Sequence, residues 1–117
     1  MPEAVIVATA RTPIGRAFKG SLKDVRADDL CAFIVAELMK KVPAVDPASV
    51  DDVIIGAANH AGEQSMNLAR NVAALAGLPD TVPGTTVNRF CASSLQSIRM
   101  AFHAIKAGEG HTFVAGG

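Results

Sequence analysis

The sequence predicts an α/β fold built on a parallel sheet. Three observations lead there. Short β-prone runs at Ala4–Ala8, Asp51–Gly56, Thr85–Val87 and His111–Ala115 alternate with stretches of helical periodicity. That alternation reads βαβαβαβ, which crossover connections turn into a parallel sheet. The first run is apolar at successive positions, as in a strand covered on both faces. The 117 residues suit one domain, and half of them are hydrophobic, enough for a core. Only five residues are aromatic, all Phe, so that core must be aliphatic and alanine-rich.

Taken in order, Ala4-Val5-Ile6-Val7-Ala8 reads as a buried strand ended by Arg11-Thr12-Pro13. A loop with Gly15 and Gly20 as breakers runs to about Arg26. No G-x-G-x-x-G fingerprint follows the strand, so a dinucleotide site has no support. Arg11 and Arg16 read as solvated or ion-paired. Acidic Asp28 and Asp29 open a helix that runs to Lys40 or Lys41, charges that suit the two ends of its dipole. Leu30, Ile34 and Leu38 form an apolar stripe with Cys31, which therefore reads as core.

The second strand, Asp51–Gly56, leads into a small-residue loop containing Asn59 and His60; a lone histidine there reads as a surface residue. Ser65 is the expected cap of a second helix, with Leu68, Val72 and Leu75 on one face and Gly77 just past its end. Arg70 sits among alanines and leucines, and an exposed or an interface position suits it equally. A third strand, Thr85–Val87, runs into Asn88-Arg89-Phe90-Cys91, and a helix is expected from about Ala92 to Ala107, stopped by Gly108. On its wheel Leu95, Ile98, Ala101, Phe102 and Ile105 make a large apolar stripe. Gln96, Arg99, His103 and Lys106 make a polar one, and Ser93, Ser97, Met100 and Ala104 a mostly small flank. The last strand, His111–Ala115, ends at Gly116-Gly117.

Composition narrows the function. Eleven basic residues balance eleven acidic ones, which gives no electrostatic case for nucleic acid or an anionic membrane as partner. No apolar run approaches the roughly 18 residues of a membrane span. The start Met1-Pro2-Glu3-Ala4 lacks the features of a signal peptide, and the expectation is a cytoplasmic protein. Two cysteines 60 positions apart suggest neither a disulfide framework nor a metal site.

Cys91 is the one candidate for chemistry. It lies where a strand gives way to a helix. Amides in a first helical turn have no intrahelical acceptor and carry the positive end of the dipole. A thiol there ionises more readily, and the thiolate is the nucleophile. The free amides suit an oxyanion formed when sulfur attacks a carbonyl. The plainer alternative is a small buried residue, and position alone does not separate the two. His103 lies about three turns on, roughly 18 Å along the helix, too far to be its base.

The segment Val87-Asn88-Arg89-Phe90-Cys91-Ala92-Ser93-Ser94-Leu95-Gln96-Ser97-Ile98 resembles the nucleophilic-cysteine segment of the thiolases, the acetyl-CoA acetyltransferase and 3-ketoacyl-CoA thiolase family. Arg11–Arg16, Gly62–Arg70 and Val114–Gly117 agree with the same family in order and spacing, so the likeness covers essentially the whole chain. One departure is Ser94, where many members carry glycine and the backbone approaches closely.

The resemblance implies a thiolase-like sheet in the order 3-2-1-4, with two helices on one face and the cysteine helix on the other. It implies that residues 1–117 are the N-terminal part of the family's N-terminal domain, without the loop domain and the C-terminal domain. It implies Cys91 as the nucleophile of an acyltransferase, forming an acyl-thioester in the cleavage of 3-oxoacyl-CoA or the condensation of acyl-CoAs, with its own N–H on the oxyanion. Coenzyme A would be substrate and product, and no cofactor or metal would be bound permanently. The activating histidine, a second acid/base cysteine and an asparagine-bearing loop lie in the family's later half, so the 117 residues alone are expected to be inactive. Expected partners are the remainder of a thiolase polypeptide and a homodimer or homotetramer, with Thr85–Asn88 and Gln64–Arg70 near the two-fold. Two alternatives stand beside this reading: a ketosynthase-type relative served by acyl carrier protein, and a non-catalytic assembly module.

Overall fold

The computed structural model describes residues 2–117. Among them a three-stranded parallel sheet is formed by β1 (Asp52–Gly56), β2 (Gly84–Val87) and β3 (Phe113–Gly116), in the order β2-β1-β3. Val53 aligns with Gly84 on one side and Val114 on the other. Three α-helices accompany it: α1 (Ala27–Lys40), α2 (Leu68–Leu75) and α3 (Ser93–Ala107).

Strand periodicity decides the layers, because successive side chains point to opposite faces. Val53 and Ile55 of β1 join Val114 in a cluster with Ala32 and Val35 of α1 and Leu68, Ala69, Val72 and Ala73 of α2. Ile54, between them, is buried on the other face and lines a hollow with Met100 and Ala104 of α3. Helices α1 and α2 therefore cover one face and α3 the other, as the resemblance implies.

The expected four-strand βαβαβαβ sheet is corrected to three strands. Ala4–Ala8 pairs with nothing: Val5, Ile6 and Val7 are 70–78% exposed. The order 3-2-1-4 would have placed this run between Asp52–Gly56 and Phe113–Gly116. Those two strands hydrogen-bond directly to each other, so the slot is closed. Composition marked the run as able to form a strand, but a strand exists only with a ladder partner.

The helices follow their signals, with adjustments. The first turn of α1 holds Asp28 and Asp29, and its Ala27 N–H is capped from a distance by Glu63 Oε1 at 2.8 Å. Helix α2 is capped by Asn67, not Ser65, and Met66 just before it is in the left-handed region with φ 61°. Asn67 Oδ1 accepts from Thr86 Oγ1 at 2.8 Å and its Nδ2 donates to the Gly84 carbonyl at 2.7 Å, tying the helix start to β2. Leu68 and Val72 are buried as expected, whereas Leu75 is half exposed. Gly77, with φ 84°, follows the end of α2, and Gly108, with φ 79°, ends α3.

Helix α3 packs on the sheet mainly through small residues. Ser93 and Ser97 of the small flank and Ala101 of the apolar stripe are buried, while Leu95, Ile98 and Phe102 are exposed. Small residues let the helix axis approach the strands closely. Ser97 Oγ, fully buried, donates to the Ser94 carbonyl at 2.6 Å and lies 3.0 Å from the Gly116 carbonyl. No helix among the described residues is long and apolar enough to cross a membrane.

Candidate active site

The carboxyl ends of all three strands meet the start of α3. Gly56 ends β1, Val87 ends β2 and Gly116 ends β3. Open α/β sheets place their chemistry at this edge. A side chain has no room at Gly56, where a Cβ would stand 2.3 Å from the Ser93 carbonyl carbon. At Gly117 a Cβ would stand 2.6 Å from the Gly56 carbonyl oxygen and 2.9 Å from Ser94 Cβ. The departure at Ser94 is thus accommodated by two residues without side chains beside it.

The link from β2 to α3 is a tight turn. Phe90–Ala92 forms a single 3₁₀ turn before α3 begins. Phe90 is held in the left-handed region at φ 49°, which is rare for a bulky residue, and the residue is 77% exposed. Two side chains hold the backbone there. Asn88 Oδ1 accepts the Phe90 N–H at 2.8 Å, while Asn88 Nδ2 donates to the Ala58 carbonyl at 3.2 Å. Ser93 Oγ accepts the Arg89 N–H at 2.9 Å and donates to the Phe90 carbonyl at 2.7 Å.

Cys91 sits at the middle of that turn as an exposed free thiol. The Ala92 N–H turns back to the Arg89 carbonyl at 3.0 Å, and the Ser93 N–H to the Phe90 carbonyl. The amides on either side of Cys91 are therefore engaged. The Cys91 N–H itself meets no acceptor among the described residues. The plainer reading of Cys91 as a buried residue does not fit this position.

Cys31 is the contrasting thiol. It is half-buried against the main apolar cluster, and burial pushes its pKa up to about 11. It lines a hollow of about 540 Å³ between α1, the sheet and Ala10–Thr12, and Cys91 is not among that hollow's walls. The chemistry of an exposed thiol beside a free amide points to the strand ends and not to this apolar groove. Cys31 is core, as expected.

The remaining candidates separate from Cys91 in different ways. His60 is partly buried, with Nε2 2.7 Å from the Ala57 carbonyl, and so departs from the expected surface position. Exposed His103 borders the hollow of about 490 Å³ on the α3 face with Asp52 and Glu109. Arg70 is half-buried; its Nη2 reaches the Asp80 carbonyl at 3.5 Å and its Nη1 is buried without a partner. Among the described residues no group of three His, Cys, Asp or Glu could hold a metal ion. The bracing roles of Asn88 and Ser93 were not anticipated. Their signal was present: Asn and Ser flanking a helix start accept from backbone amides there.

The carboxyl edge of the parallel sheet thus carries a strand-to-helix turn with an exposed cysteine whose own amide is free. Residues 4–117 match the model of the thiolase N-terminal domain, and the chain belongs to the thiolase family. All 117 residues align at 56% identity with a beta-ketoadipyl-CoA thiolase of Acinetobacter baylyi, and at 54% with a 3-ketoacyl-CoA thiolase of Bacillus subtilis. The crystal structure of the Bacillus anthracis acetyl-CoA acetyltransferase superposes on the whole chain with a TM-score of 0.90 at 40% identity. The chain spans 29% of the first of these relatives, 30% of the second and 29% of the crystallised chain.

Proposed function

We propose that this chain supplies the nucleophile of a thiolase-type acyl transfer, and that Cys91 is that nucleophile. The observation that carries the reading is the pairing, in a thiolase-family chain, of an exposed Cys91 thiol with an unengaged Cys91 N–H at the carboxyl edge of the sheet. In thiolysis the Cys91 thiolate adds to the 3-keto carbon of a 3-oxoacyl-CoA. The bond between carbons 2 and 3 then breaks, and its electron pair leaves with acetyl-CoA and takes up a proton. The acyl group stays on sulfur until the thiolate of a second CoA displaces it and restores the Cys91 thiolate. Splitting the transfer this way makes two easier steps of one hard one. The Cys91 N–H, left without an acceptor, would donate to the oxygen that becomes charged in each step.

Coenzyme A is substrate and product in this scheme, and no resident cofactor or metal takes part. The base that removes the thiol proton is proposed to come from the remainder of a thiolase polypeptide, as are the walls of the acyl-CoA site. A positioned general base contributes about 10² to 10⁴ in rate, so the 117 residues alone are expected to show no measurable cleavage of acetoacetyl-CoA. Self-association as a homodimer or homotetramer, and a cytoplasmic location, belong to the same proposal.

An activated thioester tests the nucleophile without the missing base. The chain is treated with S-phenyl thioacetate at mildly alkaline pH, quenched in acid and mapped by mass spectrometry. The acetyl group is expected on Cys91, and Cys91→Ala is expected to abolish it. Acetylation spread over lysines, or falling on Cys31 first, would overturn the assignment.

A further inference from the structure

We propose that Ser93 is a positioning residue for Cys91, and that its buried hydroxyl keeps the Cys91 N–H free to bind an oxyanion; this rests on the reading of Cys91 as the nucleophile. Ser93 is one of two polar residues buried among the described residues, at 4% exposure, and both hydrogen bonds of its hydroxyl go to the turn it faces. It bridges that turn from beneath, accepting from the Arg89 N–H and donating to the Phe90 carbonyl. Asn88 Oδ1 takes the Phe90 N–H on the other side. With both preceding amides engaged and Phe90 held at φ 49°, the first amide of the turn left without an acceptor is that of Cys91. A left-handed conformation at a bulky residue persists only when its surroundings hold it there. Removing the Ser93 hydroxyl takes the partner from the part-buried Arg89 N–H, and the backbone at Phe90 is then free to relax.

The consequence is selective for one kind of chemistry. Attack of the Cys91 thiolate on S-phenyl thioacetate forms a new carbon–sulfur bond through a tetrahedral oxyanion, then expels benzenethiolate, while the proton of the Cys91 thiol goes to buffer. Alkylation by iodoacetamide forms a carbon–sulfur bond by displacing iodide and passes through no oxyanion. Ser93 therefore acts on the first rate and not on the second. A purely structural role would move both together.

The test compares the two second-order rate constants at Cys91, as a ratio, in the unaltered chain, in Ser93→Ala and in Ser93→Thr. The ratio in the unaltered chain is expected to exceed that of an unstructured cysteine peptide by about tenfold, well short of the 10² to 10³ attributed to one donor in a water-excluded site. Ser93→Ala should bring it near the peptide value, and Ser93→Thr, which keeps the hydroxyl, should restore most of it. Cys31 must stay protected from iodoacetamide in each variant, which shows that the fold is intact. An unaltered ratio equal to the peptide's would refute Cys91 as an oxyanion-forming nucleophile. A raised ratio that Ser93→Ala leaves within twofold would refute Ser93 alone. Amide hydrogen exchange on the unaltered chain decides the matter even where a variant does not fold. Slow exchange at Arg89 and Phe90 with fast exchange at Cys91 is expected, and slow exchange at Cys91 would overturn the proposal.

Discussion

The backbone of Ser93 lies against Gly56 so closely that a methyl group on residue 56 would sit 2.3 Å from the Ser93 carbonyl carbon. That contact seats the start of α3 on the end of β1, directly beneath the cysteine turn. Gly56→Ala must separate two stretches of backbone, neither of which can rotate away. Overpacking a core typically costs about 1–3 kcal/mol, and the upper end is expected here. Urea denaturation measures it. An unchanged midpoint would mean that the helix start is not seated as described.

Cys31 sets a pH dependence on the alkaline side. Burial raises its thiol to about 11, against an ordinary value of about 8.5 in an unfolded chain. The folded state holds this proton longer than the unfolded state does. The stabilisation is complete below the ordinary value and is lost as pH rises through that of the folded protein. Thermal melts between about pH 8 and 11 should show stability falling, and Cys31→Ala should flatten that limb relative to the unaltered chain. An identical alkaline slope in the variant would show that Cys31 is not buried.

Asn67 is expected to matter more than Ser65. Asn67 caps α2 and joins Thr86 and Gly84 of β2, while Ser65 is exposed. Replacing such a cap by alanine costs about 0.5–2 kcal/mol, and the added links to β2 favour the upper half for Asn67→Ala. Ser65→Ala should stay within about 0.5 kcal/mol. The two urea midpoints compared side by side check this, and equal losses would return the cap to Ser65.

Helix α3 offers a sharper contrast. Leu95 is 67% exposed and Ser97 is fully buried. Leu95→Gln should leave stability within about 0.5 kcal/mol and raise solubility. Ser97→Leu should destabilise by at least about 1–3 kcal/mol, because it overfills the sheet contact and leaves the Gly116 carbonyl without its hydroxyl partner. The opposite ranking in a thermal melt would mean that the apolar stripe, and not the small flank, packs on the sheet.

Most of the order of elements was legible before any coordinates. Acid at Asp28 and Asp29, glycine at Gly77 and Gly108, and the β-branched core of β1 act locally, so the chain announces them. What depends on a distant partner was not legible. Val5, Ile6 and Val7 have strand composition, but whether a strand forms depends on an edge elsewhere, and β1 pairs directly with β3. The wheel of α3 displayed a large apolar stripe but did not say that Leu95, Ile98 and Phe102 would stay outside. The sheet instead meets Ser93, Ser97 and Ala101, because Gly56 lets the helix come close. At the site, the joint at Cys91 was legible as a change of period. The hydrogen bonds of Asn88 and Ser93 that hold it were not, since they depend on the left-handed turn at Phe90.

The free donor beside the Cys91 sulfur belongs to the main chain, so no exchange of side chain at position 91 short of proline can delete it. An alanine scan is blind to that half of the arrangement and would credit everything to the thiol. Cys91→Ala removes the sulfur while sparing the amide. Amide-to-ester replacement at residue 91 does the reverse, and only the two together apportion the work between sulfur and backbone.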